Sequence, residues 1–98
     1  MEPSQAGDMA GLRAIIDDLD GQLLDLLVRR VACVDRAIVL KPAEGIPARA
    51  EDRVRAVKAL VREGAAARGL DPALAEALWD VLIEWSIARE ERELGKEA

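Results

Sequence analysis

The chain has 98 residues, a net charge of −5, two Trp, no Phe or Tyr, one Cys and no His. A core of this size must come from Leu, Val, Ile and Ala, and the acidic balance argues against nucleic acid as a partner. Without histidine, a His/Cys metal centre and a Ser–His or Cys–His nucleophile are excluded, and the lone Cys33 has no internal disulfide partner.

The opening segment 1–9 lacks both a basic start and an apolar run, so it reads as a flexible N-terminus and not as a secretory leader. No run of about 18 apolar residues is present to span a membrane, and the expected setting is a reducing cytoplasm. From about Ala10 to Leu40 apolar residues recur at helical spacing. Leu12, Ile16, Leu19, Leu23 and Leu26 form a heptad seam. Some thirty residues make a rod of roughly 45 Å, longer than a small domain is wide. Such a rod needs a long partner, and a second copy of the chain is the economical one.

Pro42, Gly45 and Pro47 are expected to end this helix and form a loop. A second helix is predicted from about Arg49 to Arg68, with Val54, Val57, Leu60 and Val61 on one face and Gly69 as its C-terminal cap. Asp71-Pro72 reads as the cap and first residue of a third helix reaching about Leu94, with Leu74, Leu78, Trp79, Leu82, Ile83 and Ile87 inward. No strand alternation is visible. The fold expected is all-α, with a helical domain over 10–94 and a flexible tail over 95–98.

Polar residues interrupt these apolar faces. Extending the seam from Leu26 reaches Arg30, then Cys33, Ala37 and Leu40. Lys41 follows Arg30 by eleven residues, so it points within about 20° of the same direction, about 16 Å further along. On the third helix Ser86 and Glu90 continue the apolar stripe, and a buried Glu is rarely left unpaired. Arg53 stands near the start of the second helix, within the charged run RAEDRVR. Taken singly, these residues also have structural readings. Arg30 could extend its head past the core edge, Lys41 could serve the helix dipole, Arg53 could be solvated, and Glu90 could pair with a neighbouring Arg or lie exposed. Together, three cations and an embedded acid suggest a pocket for a small polyanion. Trp79 reads as core. Trp85 could be core, dimer contact or pocket wall. Asp17, Asp18 and Asp20 read as a solvated face, not a metal site.

The pattern LRAIIDDLDGQLLDLLVRR, then Lys41, Arg53, GLDP and IEWSIARE, resembles the all-helical chorismate mutase family over about residues 10–92. The resemblance implies an intertwined homodimer of three-helix chains. It implies a cofactor-free pericyclic rearrangement of chorismate, a small dicarboxylate, to prephenate. It also places Arg13, Arg30, Lys41, Arg53, Ser86 and Glu90 at substrate-contacting positions. Arg13 would serve the partner's pocket, Arg13 and Arg30 would clamp carboxylates, Lys41 and Glu90 would flank the ether oxygen, and Arg53 and Ser86 would orient the ring and its carboxylate.

Two positions depart from the family pattern. Many relatives have Gln where this chain has Glu90. An ionised Glu cannot donate to an ether oxygen, so a donor role needs the protonated acid and predicts activity that declines as pH rises. Acidic groups familiar on either side of the Arg at 53 are here Ala50 and Val54, with Glu51 and Asp52 nearby. That opens two alternatives within the fold. One is an isochorismate pyruvate lyase, resembled in I-P-A, R-V, G-L-D and I-x-W-x-I-A; the other is a 4-amino-4-deoxychorismate mutase. A helical dimerisation module without catalysis is the alternative from outside the enzymes.

Overall fold

The computed structural model describes residues 2–94. The tail 95–98, expected to be flexible, lies outside the described residues. Three α-helices follow a short 3-10 turn at Pro3–Gln5: α1 (Met9–Glu44), α2 (Glu51–Ala67) and α3 (Pro72–Leu94). No strand occurs among the described residues, as the all-α expectation requires. No helix among them is long and apolar enough to cross a membrane. The chain divides into two compact units, one up to residue 33 and one from 34 onward.

In the first unit, Asp8 starts α1: its Oδ1 accepts the Gly11 N–H at 2.8 Å, meeting one of the donors that a helix start leaves open. Of α1's residues in this unit, Ile15 is the buried one. The heptad seam is real as a pattern but not covered within the described chain. Ile16, Leu19, Leu23 and Leu26 are 45–58% exposed. The seam was expected to lie against a second copy of the chain. The helix has the right face but no surface of its own unit to set it against.

The second unit holds the end of α1, the loop 45–50, α2 and α3. Here Pro42 departs from expectation: α1 runs through it to Glu44. Proline removes one N–H, and so close to the end only the bond to the Ile38 carbonyl is lost. The turn beyond is closed instead by Gly45, in the left-handed region at φ 69°, whose N–H bonds the Pro42 carbonyl, and by the Ile46 N–H on the Lys41 carbonyl at 2.9 Å. Gly69 (φ 74°) ends α2 in the same way, with Leu70 N–H bonded to the Ala65 carbonyl. Asp71 caps α3 through Ala73 N–H at 2.9 Å, with Pro72 as first residue.

α2 packs against α3. The ion pairs Lys58–Asp80 (3.1 Å) and Arg62–Glu76 (3.3 Å) pair rising numbers with falling ones, so the two helices are antiparallel. Ala48, Ala65, Ala75, Ile83 and Ile87 form the buried apolar residues of this unit. Small side chains let the helices approach closely. Val54, Val57 and Val61 are half-buried as the stripe predicts, but Leu60, Leu74 and Leu78 are about half exposed or more. Trp79 is half-buried along a shallow groove of about 260 Å³ between α2 and α3, not in a closed core.

Candidate active site

The stripe Ile83, Ser86, Ile87 and Glu90 is the buried side of α3. Two of its four members are polar, which folding alone does not require. Ser86 satisfies its hydroxyl locally by donating to the Leu82 carbonyl at 2.7 Å. Glu90 lies one helical turn further on, with 7% of its side chain exposed. A carboxylate taken that far out of water costs several kcal/mol unless a cation comes with it.

The cation is Lys41. It reaches from the last turn of α1 and sets Nζ 2.8 Å from Glu90 Oε1. The ammonium also donates to the Ala48 carbonyl at 2.9 Å. Oε1 lies at ion-pair distance from the ammonium and has no further hydrogen-bond partner among the described residues. At 2.8 Å the contact is a charge-assisted one, and a carboxylate oxygen has a second lone pair beyond it. An ammonium carries three donors, so its two contacts also leave one direction over.

Of the six residues singled out in the sequence, Lys41, Ser86 and Glu90 are brought together on one buried surface. Arg53 is exposed in the first turn of α2, as its solvated-run reading alone would have it. Val54, Val57 and Val61 take the half-buried side of that helix. Arg30 is half-buried and Arg13 exposed, both on the part of α1 in the first unit. Glu90 pairs with a lysine on another helix, not with a neighbouring Arg. Trp85 is not core: it is 45% exposed, with the Arg89 guanidinium 5.6 Å over its ring. Arg89 in turn grips Asp35 through two bonds of 2.6 and 3.2 Å, tying the end of α1 to α3. That pair holds the Asp35 carboxyl below its ordinary range, chiefly through the hydrogen bond from Arg89.

Sequence reading missed the loop's contribution. Arg49 stands just before α2, where its Nη2 and Nη1 bond Glu84 Oε1 and Oε2 at 2.6 and 3.1 Å. Their partnership crosses 35 positions of sequence, and no local signal announces it. The Ala48 carbonyl is equally invisible, because a backbone acceptor leaves no trace in residue type.

The chorismate mutase type II family matches residues 12–91. The chain belongs to that family. The 4-amino-4-deoxychorismate mutase of Streptomyces venezuelae is 36% identical to it over 80 residues, covering 82% of this chain and 78% of that protein. No solved structure matches. As a member of that family the chain is an isomerase. Its departures from the family pattern can now be placed. Ala50 and Val54 are half-buried, whereas Glu51 and Asp52 are exposed and Asp52 is paired with Arg55.

Proposed function

We propose that the chain is a chorismate mutase that rearranges chorismate to prephenate in one pericyclic step, without cofactor, as a homodimer. The observation that carries this reading is the Lys41–Glu90 pair. It is a half-buried ammonium and a buried carboxyl oxygen, each with bonding capacity left over, on a surface that also presents Ser86. A pericyclic step needs no nucleophile; it needs the bent conformer held and the negative charge growing on the ether oxygen met. Lys41 supplies that positive charge. Glu90 flanks the same oxygen, and Ser86 orients the ring. Arg30 and Arg53 hold the substrate carboxylates with Arg13 from a second copy. The half-exposed seam of α1 supports the dimer, since Leu19, Leu23 and Leu26 have no cover within their own unit.

A second reading, 4-amino-4-deoxychorismate as substrate, is favoured by the Streptomyces venezuelae relative. The ring amine of that substrate would meet Glu51, Asp52 or Glu90 where chorismate offers a hydroxyl. Incubation with chorismate, isochorismate and 4-amino-4-deoxychorismate separately, with products identified by mass spectrometry, tests both. Prephenate from chorismate is the expected result. Exclusive turnover of the amino compound moves the assignment to the second reading, and salicylate from isochorismate would overturn both. Arg30→Ala is expected to lower kcat/KM about a thousandfold with the helical circular dichroism unchanged.

A further inference from the structure

We infer that Arg49 and Glu84 are positioning residues for Lys41: their two-bond clamp fixes the loop carbonyl that aims the ammonium at Glu90. The inference rests on the reading of Lys41 given under Proposed function. The chain of contacts is continuous within one compact unit. Glu84 stands on α3, six positions before Glu90. Arg49 bonds it through both terminal nitrogens, and its Nε lies 3.9 Å from Glu51 at the start of α2. Ala48, the adjacent residue, is 3% exposed, and its carbonyl receives Lys41 Nζ.

The geometry requires a fastener at this point. The glycine turn after Glu44 fixes Gly45 and Ile46 to the end of α1 through backbone bonds. Nothing in that turn fixes Ala48 relative to α3, where Glu90 resides. A planar guanidinium bonded at two points sets orientation as well as distance, which a single-point contact does not. The mutual effect on the two groups agrees. The hydrogen bond from Arg49 is the main cause holding the Glu84 carboxyl below its ordinary range, and the same bond raises Arg49. Since a misplacement of about 1 Å in a catalytic group can cost orders of magnitude in rate, an exposed pair can matter to catalysis without mattering much to stability.

The test uses the full chain and two readouts. The first is the rate of reductive methylation of Lys41 relative to Lys58, followed by mass spectrometry; it needs no substrate. Arg49→Ala and Glu84→Gln are each expected to raise the Lys41 rate at least about threefold, and by more than the rate at Lys58, on which the Glu84 charge also acts. The second is turnover: kcat falls roughly tenfold with little change in KM, because the ammonium acts on charge that develops after binding. The reversal Arg49→Glu with Glu84→Arg recovers both. Arg62→Ala, which removes a comparable exposed pair between α2 and α3, moves neither. An unchanged Lys41 rate in both single variants overturns the inference, and so does an equal rise at Lys41 and Lys58, which would mean general loosening. If the wild type turns over none of the three substrates, the proposed function falls. The methylation rates still decide whether the clamp positions Lys41.

Discussion

Residues 9–33 and residues 34–94 are built from the same aliphatic alphabet, yet they bury it very differently. Along the first stretch Ile15 is the buried residue, and Leu23, Leu24, Leu26 and Val28 are 55–70% exposed. Along the second, Ala48, Ala65, Ala75, Ile83 and Ile87 are buried, and the stripe has enough cover left to enclose Ser86 and Glu90. A heptad fixes which side of a helix is apolar; it does not supply the surface that covers it. The second stretch supplies part of its own through the antiparallel α2–α3 pair, although Leu60, Leu74 and Leu78 stay about half exposed or more. The first is left bare within its own unit and, under the proposal above, is covered by a second copy, which is why dimerisation and catalysis belong to one proposal.

The largest effect that would break this contrast is on association. Leu23→Glu combined with Leu26→Glu puts four carboxylates into a two-fold interface and removes four Leu side chains from it. Association should weaken by at least about a thousandfold, read by analytical ultracentrifugation across protein concentration. A double variant that associates like the wild type would show that the seam is not the contact. Next in size is the buried pair. Glu90→Ala leaves the Lys41 ammonium without its carboxylate and should cost about 3 kcal/mol in urea unfolding, whereas Asp80→Ala, which strips an exposed partner from Lys58, should cost under about 0.5 kcal/mol. Equal costs would mean that Glu90 is solvated in solution. Glu90→Gln keeps the shape and offers an amide donor. It should retain turnover and lose less stability than the alanine variant.

The smallest effect concerns acid. The carboxyls of Asp35 and Glu84 are held below their usual range by Arg89 and Arg49. A carboxyl lowered in the folded state contributes stability that is present above its unfolded value, near 4, and lost as pH falls through the folded one. The unfolding midpoint of the wild type should therefore decline below about pH 4. Asp35→Asn and Glu84→Gln should each make that decline shallower. Parallel acid limbs in wild type and variants would show that these pairs open in solution.

Local chemistry was legible wherever it is written in adjacent residues. Asp71-Pro72 and Gly69 marked the α2–α3 junction because capping and left-handed backbone each demand particular residue types at fixed offsets. Glu90 was legible as an anomaly since its spacing from Ile83 and Ser86 keeps it on an apolar face. Pro42 misled because its effect depends on how many hydrogen bonds lie beyond it, and near Glu44 there are almost none. The Arg49–Glu84 bond was out of reach because its partners stand on separate elements, 35 positions apart. The exposure of Leu74 and Leu78 was beyond reach too: periodicity reports a direction, whereas coverage depends on what else is in place.

Lys41 is tied to the following loop twice over, by its own carbonyl to Ile46 and by its ammonium to Ala48. That makes the length of the connection a measured quantity. One residue spliced in after Gly45 would spare every helix, but it would carry the Ala48 oxygen away by up to about 3.5 Å, past the ammonium's grasp. Engineers who treat this link as slack, for tags, grafts or fusions, would be cutting a tether of fixed gauge.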